Sequence, residues 1–201
     1  FTRNNDKVLS KTVGIKEIKN LSILCKKKVN QDLRKIILKR KNFLKNINFL
    51  ESSIMGVLNL TPDSFSDGGK FNNYKKAINH ISIMIKAGAK IIDVGGESTR
   101  PGSETVSSKM EWNRIKKIIQ NFKKKNKKTC LSIDTRKSEV MVEGMKHGVD
   151  IINDVSGFNY DDLSLPRMEK HQVAKVLHHM QGTPNTMQKN PKYKNVLLDI
   201  Y

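Results

Sequence analysis

The sequence predicts an α/β fold built on a parallel sheet, and two observations support this prediction. From residue 53 onward, short apolar runs alternate with amphipathic stretches of helical periodicity, which is typical of consecutive βα units. Each apolar run also ends in a polar cluster, as strands do when the loops after them build a site. At 201 residues the chain is long enough to bury a core.

Five strands and four complete helices are expected in this region. The strands are short apolar runs, predicted at residues 54–59, 90–94, 129–134, 150–153 and 173–178. The helices between them repeat apolar residues every three or four positions, and are predicted at 74–87, 109–122, 137–147 and 161–170, with another beginning near Tyr193. The alternation therefore gives five βα units in order.

Polar residues follow every predicted strand. They are Asn59, Gly95-Gly96-Glu97, Asp134, Asn153-Asp154 and His178-His179. Because the carboxyl ends of parallel strands meet at one edge of a sheet, these clusters point to a single active-site mouth. Helix capping remains an alternative for each residue, and for Asp134 in particular, since Asn, Asp and Ser after a strand commonly cap the next helix.

Residues 1–52 are interpreted as a basic N-terminal extension of unknown role, with a helix predicted near residues 31–45. Of the formal charge of +19, residues 1–50 carry +11 and the remaining chain +8. Clustered cations favour nucleic acid by releasing counterions. However, most of the basic residues are Lys in a chain also rich in Asn and Ile, which indicates compositional bias and disfavours specific nucleic-acid binding.

The composition also bears on membrane insertion and on the state of the cysteines. No apolar run approaches the roughly 18 residues that cross a bilayer, which excludes an integral membrane protein. Cys25 and Cys130 match no zinc or redox spacing, and no secretory signal is present in the sequence. We therefore expect a cytoplasmic protein with reduced thiols.

Two loops carry the chemistry. Residues 59–69 read NLTPDSFSDGG, a turn-rich segment with carboxylate, hydroxyl and aromatic side chains. Residues 95–103 read GGESTRPGS, where the glycines allow close backbone approach and Arg100 can bind a phosphate or carboxylate bidentately. Together the loops indicate an anionic substrate.

The motifs resemble those of the dihydropteroate synthase family over residues 53–201, in the family's order. They are MGVLNLTPDSFSDGG at 55–69, IIDVGGESTRPGS at 91–103, SIDTRKS at 132–138, HGVDIINDVSG at 147–157 and HMQGTPNTMQ at 179–188. The resemblance implies a (β/α)8 TIM barrel that joins 6-hydroxymethyl-7,8-dihydropterin diphosphate to 4-aminobenzoate with Mg²⁺, releasing pyrophosphate. It also implies a homodimer, and the family is the folate-pathway enzyme that sulfonamides block.

The resemblance also assigns individual roles. Asn59 corresponds to the asparagine that contacts magnesium and diphosphate, and Asp134 and Asn153 to the residues that bind the pterin edge. In the second loop, Thr99 and Arg100 correspond to residues beside the diphosphate and aminobenzoate, with Ser98 and Pro101 adjoining. The first-loop residues that close over the site and act in catalysis are Asp63, Ser64, Phe65 and Asp67, although turn-forming roles remain open for Ser64 and Asp67.

The sequence departs from the family in two places. His178 stands where the family commonly has a Met that lines the pterin pocket. Only five of eight βα units are present, and a complete barrel takes about 250 residues, so we expect a piece of a longer protein, with a degenerate relative of the family as the alternative. By itself this piece should expose a sheet edge and be neither active nor stable.

Three other functions remain as alternatives. A folate-dependent methyltransferase should lack both loops, whereas both are present here. A non-catalytic pterin-binding paralogue would bind pterin and release no pyrophosphate. A nucleic-acid-binding role for residues 1–50 would show as salt-dependent retention of that segment on nucleic acid.

Overall fold

The computed structural model describes residues 2–4, 7–9, 14–37, 43–45, 47–61, 70–98, 103–183, 186–187 and 190–200. The chain divides into two units, Phe1–Lys41 and Asn42–Tyr201. In the first unit, strands β1 (Thr2–Asn4) and β2 (Lys7–Leu9) form an antiparallel hairpin. A 3-10 helix (Ile15–Asn20) and helix α1 (Ile23–Ile37) follow.

The helix predicted near residues 31–45 was placed too far toward the C-terminus. Helix α1 ends at Ile37, and β3 (Phe43–Leu44) pairs with β4 (Ile47–Asn48) in a hairpin. Lys45 in its turn has φ 53, a left-handed conformation that no helix allows. Because Leu44 packs with the buried Ile47 against the sheet of the second unit, tertiary packing outweighs the local helical pattern.

The second unit confirms the predicted α/β fold. Its parallel sheet has the order β5-β6-β7-β8-β9, with strands Ile54–Asn59, Ala89–Gly95, Cys130–Asp134, Ile151–Asp154 and Ala174–Leu177. The helices are α2 (Lys70–Lys86), α3 (Ser108–Lys125), α4 (Ser138–Lys146), α5 (Ser164–Met168) and α6 (Val196–Ile200). Helix α5 is shorter than the predicted 161–170. It begins only at Ser164, because the carboxylate of Asp161 accepts hydrogen bonds from the backbone N–H groups of Ser138 and Leu163 in the turn before the helix.

The two faces of the sheet have different neighbours. One face packs against the helices through strand residues that include Ile92, Leu131 and Ile133, which meet Ile115 and Phe122 of α3 in the main core. On the opposite face, Ile91, Cys130 and Ile151 pack with Ile47 of the β3–β4 hairpin. Lys45 of that hairpin and Lys123 of α3 both form ion pairs with Asp150, at the amino end of β8. The hairpin thus covers the amino-terminal end of this face and leaves the carboxyl end for other chemistry.

The outermost strands carry exposed apolar side chains. Within the described residues, β5 and β9 each pair with a single neighbouring strand. Ile54 is 62% exposed, Val57 54% and Leu177 75%. The described sheet therefore has the open edges expected from five βα units. Separately, none of the described helices is both long and apolar enough to cross a membrane.

Candidate active site

Strand register brings four residues into one row at the carboxyl end of the sheet. Asn59 of β5 pairs with Gly95 of β6, Gly95 with Asp134 of β7, and Asp134 with Asn153 of β8. Since parallel strands in register direct aligned side chains to the same face, Asn59, Asp134 and Asn153 share one face of the sheet. The predicted meeting of strand-end side chains is therefore present in the structure.

Gly95 leaves space between two of these side chains. A Cβ atom at this position would lie 3.0 Å from Oδ1 of Asn59 and 3.5 Å from Oδ2 of Asp134. The glycine thus lets an amide oxygen and a carboxyl oxygen flank a gap over bare backbone, where a flat ligand can approach closely.

Asp134 has an unusual protonation equilibrium. Burial, followed by the negative charges of Asp93, Glu111, Asp154 and Glu97, raises the pKa of Asp134 from its ordinary 3.8 to about 7. Ligand N–H groups that donate hydrogen bonds to this buried carboxyl would stabilise its ionised form. Perturbed carboxyl groups of this kind concentrate at functional sites.

Asn153 is held by a residue that sequence reasoning missed. Its Nδ2 donates to Oδ2 of Asp93 over 3.0 Å, and Asp93 is 3% exposed. Burial raises the pKa of Asp93 as well. The signal that could have identified Asp93 is a charged residue inside the otherwise apolar strand IIDVG, because a carboxylate there requires a specific partner.

A network of buried charges fixes the base of the second loop. Glu97 accepts hydrogen bonds from Nζ of Lys137 at 2.8 Å, Nε of Arg136 at 2.9 Å and the backbone N–H of Val106 at 3.1 Å. Lys137 also donates to Glu111 of α3 over 2.6 Å. The carboxylate of Glu97 therefore ties the start of the loop to a point nine residues later and to the loop after β7. Glu97 belongs to a polar cluster that the sequence places at the mouth, whereas no site role was predicted for Glu111, Arg136 or Lys137.

Asp154 ends β8, but its side chain has a structural role in the loop that follows. It accepts from the backbone N–H and the hydroxyl of Ser156, each at 2.7 Å, and from the N–H of Phe158 at 3.1 Å. Its contacts organise the loop after β8. Among the strand-end residues of β7 and β8, Asp134 and Asn153 are the ones whose side chains line the row beside Gly95.

Of the other predicted site residues, only Ser98 lies within the described part of the chain. Ser98 is partly buried, and its backbone carbonyl accepts from the Ser103 hydroxyl at 2.5 Å. The remaining predictions lie outside the described residues: Asp63, Ser64, Phe65, Asp67, Thr99, Arg100 and Pro101. His178 is exposed, and the neighbouring His179 shares a hydrogen bond of 2.9 Å with the hydroxyl of Tyr193.

Sequence comparison identifies relatives over the same region. The pattern of the pterin binding enzyme family matches residues 55–200. Dihydropteroate synthase of Synechocystis is 43% identical over 144 residues, which are 72% of this chain and 50% of the relative. Dihydropteroate synthase of Escherichia coli K12 is 44% identical over 147 residues, which are 73% of this chain and 51% of the relative. The chain thus spans about half the length of these relatives.

Solved structures agree with the sequence matches. A Yersinia pestis dihydropteroate synthase with a sulfonamide drug complex is 37% identical, with a TM-score of 0.69 over 81% of this chain and 57% of its own. A Xanthomonas albilineans dihydropteroate synthase with 4-aminobenzoic acid is 34% identical, with a TM-score of 0.67 over 76% and 53%. The five βα units are accordingly part of a (β/α)8 barrel, which is incomplete in this chain.

The fold and the sequence matches point to the same part of the chain. The row of polar side chains beside Gly95 lies at the carboxyl ends of barrel strands, where such barrels carry their sites. The family pattern covers every one of these strands. This chain belongs to the pterin-binding enzyme family.

Proposed function

We propose that the protein containing this chain is a dihydropteroate synthase, which joins 6-hydroxymethyl-7,8-dihydropterin diphosphate to 4-aminobenzoate. The observation that carries the proposal is the placement of Asn59 and Asp134 on either side of Gly95, with Asn153 next in the row. This arrangement offers oxygen acceptors to the N–H edge of a flat ring and an amide oxygen to a cation that would bind the ring's anionic substituent.

The pterin is proposed to bind through Asp134 and Asn153. A pterin edge presents adjacent N–H donors, and a carboxylate with a neighbouring amide oxygen accepts from such an edge. Both side chains lie partly buried in the row, so a ring without these donors would leave them unpaired. That penalty gives selectivity against other heterocycles.

The residues present fit a magnesium ion at the diphosphate. Mg²⁺ is commonly bound by one or two protein oxygens together with substrate phosphates and waters. Asn59 supplies an exposed amide oxygen at the edge of the row, which suits that role. When bound, the ion would supply positive charge against the departing pyrophosphate.

The chain's own residues would then orient the reactants. Holding the pterin ring places its exocyclic CH2 at the mouth, where the carbon–oxygen bond to the diphosphate breaks and the amine of 4-aminobenzoate forms the new carbon–nitrogen bond. Thr99 and Arg100 are proposed to bind diphosphate and aminobenzoate, with Ser98 and Pro101 beside them. The first-loop residues Asp63, Ser64, Phe65 and Asp67 are proposed to exclude water during this step.

A cytoplasmic location is part of the same proposal. Cys25 and Cys130 are both free thiols in the structure, which is the usual state in a reducing compartment. The homodimer implied by the resemblance stays a prediction.

The proposal is tested by pyrophosphate release from the full-length protein that contains these residues. Release is expected only with both substrates and Mg²⁺, and is expected to stop when a chelator is added. The Asn59→Ala variant should need more Mg²⁺ for half-maximal rate, while the Asn113→Ala variant, at an exposed position of α3, serves as control. Tight pterin binding with no release under any condition would instead support the non-catalytic paralogue.

Two adjacent glycines should respond differently to alanine. In Gly95→Ala the new methyl group meets only the side chains of Asn59 and Asp134, so we expect a folded protein whose pterin affinity falls about tenfold or more. In Gly96→Ala the methyl would lie 2.8 Å from the backbone oxygen of Glu111 and 3.0 Å from Ile115, so α3 must shift and stability should fall by about 1–3 kcal/mol. Urea unfolding and pterin titration of both variants separate the two effects. Equal loss of stability in both would contradict the assignment of Gly95 to the site.

A further inference from the structure

Asp93 lies one level below the row of site residues. It is two positions before Gly95 in β6, so its side chain lies on the same face of the sheet as the site row. Its neighbours in register are Val57 and Ser132, and Ile151 follows Ser132 across the sheet. The acidic side chain of Asp93 thus lies on this face between the site row and the apolar cluster that contains Ile47 and Ile91.

Two features of Asp93 are unusual for a purely structural residue. Its side chain forms no ion pair among the described residues, although it is 3% exposed. Its Oδ2 accepts from Nδ2 of Asn153, while its Oδ1 is buried and forms no close hydrogen bond within the described part of the chain, with the Ser132 hydroxyl beside the carboxyl partly offsetting the burial that raises its pKa. Burying a carboxyl on these terms is costly for the fold, and an apolar residue would fill this level more favourably.

We propose that Asp93 is a positioning residue that fixes the orientation of the Asn153 side-chain amide toward the pterin. The inference rests on the proposed function and deepens it. Oδ2 of Asp93 accepts from Nδ2 of Asn153 over 3.0 Å, so this contact selects the amide nitrogen and turns Oδ1 of Asn153 to the opposite side. Asn153 then meets the ligand as an acceptor.

Fixing the amide determines which ring binds. An asparagine amide that can rotate by half a turn presents either an acceptor or two donors at one position. With the orientation fixed by Asp93, the site favours a ring with an amino donor at its edge. Without Asp93, the amide can turn and accommodate a carbonyl acceptor there, so the site discriminates less well between the two rings.

The test compares the affinities of the full-length protein for a 2-amino pterin and for the matching 2-oxo ring. In the Asp93→Asn variant the new amide can pair with Asn153 in either orientation. We expect the ratio of the two affinities to fall by about tenfold, mainly through weaker pterin binding. Ile151→Val is the matched control, since it alters the same buried level without a polar contact and should keep the wild-type ratio. Asp93→Ser is measured in parallel, so that the test can still be carried out if Asp93→Asn does not fold.

A double-mutant cycle distinguishes positioning from general disruption. In an Asn153→Ala background, Asp93→Asn should change the ratio no further, because the amide that it orients is gone. An unchanged ratio in the single variants, or full additivity in the cycle, would overturn the role of Asp93 alone. A wild-type protein that binds neither ring would overturn the proposed function and this inference with it.

Discussion

Replacing Asp134 with asparagine is expected to weaken pterin binding strongly and at the same time to stabilise the fold at neutral and alkaline pH. The carboxyl accepts ligand N–H groups in its ionised form, and an amide at this position presents a neutral acceptor and two misplaced donors. We expect the pterin affinity to fall by about a hundredfold, as for loss of a charged hydrogen-bonding partner. Without a ligand, however, the ionised carboxyl of Asp134 is unfavourable for the folded chain.

The direction of the stability effect follows from the pKa of Asp134. Its pKa rises from 3.8 to about 7 on folding. As pH rises through this window, the unfolded chain loses the proton first, so the folded state binds more protons and its stability falls. The shift sets an upper limit of about 4 kcal/mol, and partial exposure of the carboxyl reduces it to about 2 kcal/mol. Asp134→Asn removes this loss.

Urea unfolding at pH 4.5 and pH 8.5 measures the effect. The variant should gain stability over the wild type chiefly at pH 8.5. Asp161→Asn is a control of opposite sign: burial alone would raise the pKa of Asp161, but the hydrogen bonds from Ser138 and Leu163 outweigh it and lower the pKa. Because this pKa lies below 3.8, the stabilisation is already present at pH 4.5, so that variant should lose stability by a similar amount at both pH values. A gain for Asp134→Asn that is equal at both pH values would show that the carboxyl does not titrate near neutrality.

The sheet could be predicted from the sequence because each of its strands is a local apolar pattern. All five predicted strands agree with the structure to within one or two residues, and Ile54–Asn59 agrees at both ends. The β3–β4 hairpin could not be predicted in this way, since two-residue strands have no periodicity. Its position depends on the burial of Ile47 against strands that follow in the chain.

The site was predictable where its residues end strands, and not where they depend on distant partners. Asn59, Asp134 and Asn153 follow apolar runs and carry the family motifs. Glu111 and Lys137 resemble surface residues in the sequence, because Glu111 lies in a helix with many Lys and Lys137 follows Arg136. The burial of Lys137 and its two carboxylate partners results from pairing across 26 to 40 residues of chain, which no local pattern encodes.

Substituting methionine for Lys137 is expected to cause the largest loss of stability. The Lys137 side chain is 7% exposed, and its ammonium group lies 2.8 Å from Glu97 and 2.6 Å from Glu111. Methionine retains much of the volume but leaves two buried carboxyls without their shared cation. Breaking a buried ion pair on one side costs about 3–5 kcal/mol, a large fraction of the 5–15 kcal/mol that stabilises a typical domain. We therefore expect a strongly lowered Tm, with the loss greater at pH 8 than at pH 5, where the carboxyls can protonate.

Lys146→Met is the matched control, because Lys146 forms an ion pair of similar length, 2.7 Å, with Glu143 but is 60% exposed. Water screens that pair, so the same substitution should change stability by less than about 1 kcal/mol. Adding Glu111→Gln to Lys137→Met removes one of the two unpaired charges and should recover part of the lost stability. Glu111 is fully buried and has no other described cation, so this recovery distinguishes charge pairing from simple packing. If the double variant were no more stable than Lys137→Met, the packing of the lysine stem would be the main contribution, and the ion pairs would count for little.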